Sequence, residues 1–131
     1  MFGKLYAIAL AILIVLDLTW LTTLAKNIYQ QQIGFLMKPQ ITWWPVALFY
    51  PLFALGLVLF VIAPAVEKKS LAQALLLGAL FGLIAYAAYD LTNIATLKGW
   101  PLPITIIDLL WGTTLSAVTC GLTYLISTAR I

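Results

Sequence analysis

Four long apolar runs divide the chain. Leu5 to Leu24 is interrupted only by Asp17 and a few threonines, and Pro45 to Val66 carries no charge. Leu71 to Leu97 has Gln73 and Asp90 as its main polar breaks, and Leu102 to Ser127 has Asp108. A helix needs about 20 apolar residues to cross the ~30 Å hydrocarbon core of a bilayer, and each run reaches that length. Backbone groups in lipid must be paired internally, and no strand-like alternation points to a barrel, so the runs are expected to be helices. The fold class predicted is all-α: an integral membrane four-helix bundle with spans at about 5–24, 45–66, 71–97 and 102–127, in one transmembrane domain covering 1–131. The first run passes twelve apolar residues into Asp17 without a small-x-small cleavage site, so it is expected to stay as a helix and not be removed as a signal peptide.

The links between runs are short except the first, Lys26 to Trp44, which contains NIYQQQIG and the KPQ turn. It is expected to extend the first helix beyond the membrane and then return. The second link is EKKS at 67–70, and the third is little more than Lys98 to Pro101.

An internal echo runs through this pattern. The first helix ends DLTWLTTLAK from Asp17 to Lys26, and the third ends DLTNIATLK from Asp90 to Lys98. Trp44-Pro45 and Gly56 recur as Trp100-Pro101 and Gly112, both at an offset of 56 residues. The chain therefore reads as two helical hairpins, 1–66 and 71–131, forming a parallel repeat about an axis along the membrane normal. Chance similarity in apolar sequence is the other reading.

Composition agrees with the membrane assignment and narrows the chemistry. Hydrophobic residues make up 64% of the chain and charged residues 8%, against roughly 25% charged in a soluble domain. The mean hydropathy is +1.09. The net charge of +3 comes from scattered lysines and arginine, with no basic cluster to suggest nucleic-acid binding. There is no histidine, and the lone cysteine, Cys120, can form neither an internal disulfide nor a thiolate cluster. It is expected to be packing. No metal ligand set is visible, and no cofactor can be named. With the amino terminus inside, Lys4, Lys68, Lys69 and Arg130 face Lys26, Lys38 and Lys98, a slight bias toward cytoplasmic termini. Trp43, Trp44 and Trp100 gather at the end opposite EKKS, as an aromatic belt would.

Three of the four carboxylate side chains lie inside the spans. An ionised Asp at a helix centre costs ~2.5–3.5 kcal/mol, so such residues face the bundle interior and are functional candidates. Asp17 lies nine residues before Lys26, Asp90 eight before Lys98, and Asp108 seven after Pro101. At 1.5 Å per residue all three sit ~10–14 Å from the same membrane side. Trp20, Asn93 and Trp111 each follow an acid by three residues and share its face, and Tyr86 precedes Asp90 by four. Pro51 should free the Ala47 carbonyl beside Tyr50 and kink or widen the helix there. Carboxyls this close cannot all ionise, so the layer should hold a proton or a cation, unless Lys26 or Lys98 reaches inward to neutralise it. The plainer reading is that the acids hydrogen-bond neighbouring helices and only fix packing. Gly78-x-x-x-Gly82 should mark a close helix contact, within the bundle or in a dimer.

The stretch AYAAYDLTNIATLKGWPLPITIIDLLWGT, Ala85 to Thr113, with DLTW near the start, resembles a bacterial family of small predicted membrane proteins of unknown function. Asp17, Trp20, Tyr89, Asp90, Thr92, Asn93, Asp108, Trp111 and Gly112 match its pattern. The resemblance implies a multi-pass protein of the bacterial inner membrane and carries no activity. Three function classes follow from the residues. The first is a proton- or cation-linked small-molecule transporter or ligand-binding protein, working as a homodimer if it is to enclose a pathway. The second is an embedded enzyme acting on a lipid by carboxylate acid–base chemistry. The third is a structural or assembly partner.

Four spans put residue 68 and the carboxyl terminus on one side of the membrane. Reporter fusions at residues 68 and 131 should give the same sidedness, and opposite signals would refute the topology.

Overall fold

The computed structural model describes residues 1–129; Arg130, counted above among the inner cations, lies outside them with Ile131. Among the described residues there are helices and no strands. They are α1 (Phe2–Thr22), α2 (Leu24–Ile33), α3 (Trp43–Leu57), α4 (Ala63–Glu67), α5 (Leu71–Thr96) and α6 (Leu102–Thr128), with a 3-10 turn at Gly34–Leu36. A π turn, Val58–Ile62, joins α3 to α4, so that Trp43–Glu67 is one continuous span. Four helices are long and apolar enough to cross a membrane: Phe2–Thr22, Trp43–Glu67, Leu71–Thr96 and Leu102–Thr128.

The helix ends follow local chemistry. The EKKS link closes as a compact turn: Ser70 N–H donates to the Ala65 carbonyl and Lys69 N–H to Val66, with Lys69 left-handed at φ 54°. Ser70 then caps α5 by accepting from the Gln73 N–H at 3.0 Å. At the far end of α1, the hydroxyls of Thr19, Thr22 and Thr23 each donate back to a carbonyl four residues earlier. Such back-bonding bends helices, and here α1 breaks at Thr23, where φ is −116° and ψ −92°. The first link does not prolong α1 in a straight line: α2 starts anew after the break and packs on α1 and α6.

The widening of the second span is displaced from where the sequence suggests. Pro51 sits inside the unbroken helix Trp43–Leu57. The wide turn comes at Val58–Ile62, with Ala63 N–H donating to the Val58 carbonyl. It ends two residues before Pro64, whose ring would crowd the carbonyl four residues back, that of Phe60 within the turn. An i→i+5 turn ahead of the ring makes that room. Around Pro51, the carbonyl of the proline itself accepts from Tyr6 Oη of α1 at 3.0 Å.

Packing is uneven. The closest helix pair is α5–α6, along a stripe of small residues: Ala74, Gly78 and Gly82 are buried on α5, and Gly112, Ser116, Thr119, Cys120 and Thr123 on α6. A Cβ at Gly82 would collide with the Gly112 carbonyl and Ser116, and one at Gly78 would press on Cys120 and Ser116. The glycine pair is thus a contact within the bundle. The first hairpin is packed differently, α1 lying against α6 more extensively than against α3. Leu5, Ala9 and Leu13 of α1 meet Ala54, Leu57, Val58 and Ile62 in the core.

Gly82→Leu should therefore overpack α5 against α6 and destabilise the protein by about 1–3 kcal/mol or more. Gly3→Ala should be neutral, because nothing lies within 4 Å of its Cβ. Thermal unfolding in detergent compares the two, and equal stability would show that α5–α6 contact is not close.

Candidate functional site

A cavity of about 380 Å³ opens among α1, α2, α3, α5 and α6, and all three intramembrane acids, Asp17, Asp90 and Asp108, line it. The helix register supplies the acids, and the close approach of α5 and α6 brings Asp90 and Asp108 together. Gly112 allows that approach at this level, since a Cβ there would run into the ring of Tyr86. Tyr86 consequently lies flat on α6 and forms part of the cavity wall.

The three carboxyls are satisfied unequally. Asp17 is 6% exposed and accepts twice: Tyr50 Oη donates to Oδ2 at 2.5 Å, and Trp111 Nε1 donates to Oδ1 at 2.9 Å. Trp111 stacks on Trp20, with ring centroids 4.5 Å apart and planes 11° from parallel. Trp20 Nε1 donates to Tyr29 Oη at 3.3 Å, and Tyr29 Oη donates to Asp108 Oδ1 at 2.8 Å. The indole stack therefore bridges two charge-assisted acceptors. Asp90 is different. It is fully buried, and neither of its carboxyl oxygens has a hydrogen-bond donor. The polar group facing it is another carboxyl, that of Asp108. Two carboxylates can bond only with a proton or a cation between them.

The remaining candidates divide. Tyr89 lines the cavity, is 55% exposed, and meets Trp100 edge-on at 5.7 Å. Tyr50 and Trp20 act through their hydrogen bonds and do not form cavity wall. Asn93 lies beside the Tyr89 phenol and off the cavity. Its position three residues after Asp90 does not turn it inward. Thr92 is exposed and donates to the Ala88 carbonyl at 2.6 Å. Among the described residues, no group of three His, Cys, Asp or Glu side chains is close enough to hold a metal ion.

The residue the sequence pattern misses is Tyr29. It lies in the polar first link, twelve residues beyond Asp17, which would be ~18 Å away along a straight helix. Only the break at Thr23 turns α2 back over the cavity. Ile33 of α2 and Leu21 of α1 line the same end, and Phe35 packs near Gly99 of the third link. Burial pushes the Tyr29 phenol above its ordinary value of 10.0, and the nearby Asp108 charge adds to this.

Comparison with protein families gives a match to the model described as "Predicted membrane protein (DUF2177)" over residues 2–125. The chain belongs to that family. No curated protein and no solved structure matches it.

Tyr29→Phe removes the donor to Asp108 and should cost about 1.5–3 kcal/mol, the range for a hydrogen bond to a charged group. Unfolding in detergent measures the loss. Because the phenol is raised, its contribution is complete below pH 10 and declines as pH climbs through the raised value. Tyrosinate absorbance of wild type and Tyr29→Phe should therefore coincide just above pH 10. An extra phenolate in wild type at that pH would show Tyr29 to be open to water.

Proposed function

We propose that this member of the predicted membrane protein family is an intramembrane ligand-binding protein linked to a proton or a cation, with Asp90 at its centre. One observation carries the reading: Asp90 is buried without a donor on the wall of a cavity that two further acids share. An isolated buried carboxylate costs several kcal/mol even after relaxation. Asp17 offsets that cost with two donors and Asp108 with one. Among the described residues no basic side chain lines the cavity, so neutralisation of Asp90 is left to a proton or a positively charged ligand.

Packing alone explains the layer less well. Interhelical hydrogen bonds act as glue when polar groups find one another, and Asp90 has none. A second reading has one observation in its favour: the apposition of Asp90 and Asp108 would suit acid–base catalysis, one carboxyl protonated and the other ionised. Both readings place the work at the same atoms, and substrate turnover distinguishes them.

Three further features belong to this reading. The two hairpins are taken as a parallel repeat, which accounts for Asp17 and Asp90 occupying matching positions in DLT segments and meeting at one cavity. Four helices enclose a chamber more easily than a passage, so transport would require a homodimer. The termini are taken as cytoplasmic in a bacterial inner membrane.

Asp90→Asn keeps shape and removes the titratable group. Isotope-edited infrared spectroscopy on lipid-reconstituted protein should show a carboxyl band in wild type that the variant lacks and that an added cation diminishes. The variant should remain folded. Three acids titrating independently near the ordinary ~4 would mean separate, wet carboxyls and would end the proposal.

A further inference from the structure

The cavity is bounded unequally, and one of its thinly packed walls lies between α3 and α5. The backbones of the second and third spans come close along the π turn Val58–Ile62, but α3 itself has little backbone contact with α5. Farther toward the tryptophan-rich end, aromatic rings connect the two. Phe53 stacks on Phe81 at 5.7 Å and meets Tyr86 at 6.3 Å. Beyond Phe53 the gap is flanked by Phe49 of α3 and Tyr89 of α5. Both line the cavity and are 43% and 55% exposed, more than Leu21 of α1, the other exposed wall residue. A residue that is at once cavity wall and outer surface marks an opening. Phe49 lies six residues into α3 and Tyr89 seven residues before the end of α5 at Thr96, which puts the opening ~9–11 Å inside the helix ends. At that depth the surroundings are acyl chains and not water.

The contents can be inferred from the same walls. Three carboxyls line the cavity and, among the described residues, no base does, which selects a cation. The aromatic walls favour an organic cation over a bare metal ion. Tyr86, Tyr89, Trp100 and Trp111 present ring faces or edges around it, the surroundings that favour an ammonium group. A cavity of about 380 Å³ is near the lower end of the 300–1,000 Å³ typical of small-molecule sites. It accommodates a head group and the start of one chain; the remainder must extend through the opening.

Resting on the reading of Asp90 above, we infer that the ligand is a single-chain amphiphile with a protonated amine head, which enters from the bilayer between α3 and α5. The head lies against Asp90 and Asp108, and the chain leaves past Phe49 and Tyr89 into lipid. Binding satisfies the orphaned carboxyl without bringing a bare charge through hydrocarbon, because the chain remains solvated by lipid.

The test uses the full chain in zwitterionic bilayer discs. A dodecylamine carrying a diazirine on its chain is photolysed, and the labelled residues are mapped by mass spectrometry. Labelling should concentrate on α3 and α5 around Phe49, Ala85 and Tyr89. Excess dodecylamine should compete it away, and dodecanol of the same chain length should not. Asp90→Asn should weaken the saturable binding on the order of a hundredfold, as expected for loss of a buried charge partner. Label spread evenly over the lipid-facing surface, or equal competition by dodecanol, would overturn the inference. Ethylamine, too short to need the opening, separates the two levels of the argument. Asp90-dependent ethylamine binding without α3–α5 labelling would leave the cation site standing and remove the amphiphile. Ethylamine binding indifferent to Asp90→Asn would remove both.

Discussion

Where α5 and α6 touch, glycines on one helix admit the backbone or a side chain of the other at contact distance. Gly82 faces the Gly112 carbonyl and Ser116, Gly78 faces Ser116 and Cys120, and Gly112 receives the ring of Tyr86. Between membrane helices there is no water to expel, so association depends on close van der Waals packing and on polar contacts. Small residues permit both. This approach carries Asp90 of α5 to within reach of Asp108 of α6, and it lays Tyr86 along the cavity wall. A wider helix separation would leave the carboxyls apart and the cavity open along another seam.

Around that pair the rest of the polar network is arranged as a set of donors. Tyr50 comes from α3, Trp111 from α6, and Tyr29 from α2, each giving its hydrogen to an acid on a different element. The indole stack of Trp20 and Trp111 joins α1 to α6 between Asp17 and Asp108. The network is complete for Asp17 and incomplete for Asp90. Buried polar networks that are only partly satisfied are costly, so the gap at Asp90 is better understood as a place for a ligand or proton than as a failure of packing. The stacked aromatic rings hold the cavity in shape.

Much of the architecture was legible because the bilayer imposes simple rules. Run length gave four spans, and short links made neighbours antiparallel. The cost of an intramembrane acid singled out Asp17, Asp90 and Asp108 before any contact was known. Counting residues from Lys26, Lys98 and Pro101 placed them at one depth, since helical rise is constant. The glycine pair at 78 and 82 signalled a close contact, though not its partner.

Helical spacing was less informative about direction. Trp111 and Trp20 turned toward the acids from the i+3 position, whereas Asn93 at the same spacing did not, because a helix face is broad and tertiary packing chooses its centre. Pro51 was a poor guide to the wide turn, which formed ahead of Pro64. Tyr29 could not be found at all from periodicity, since its place depends on the break at Thr23 folding α2 back. Length, hydropathy and acid depth are properties of one helix at a time and are written in the chain. The donors reaching Asp17 and Asp108, and the carboxyl of Asp90 left without one, depend on how separate helices meet, and only the tertiary structure decides that.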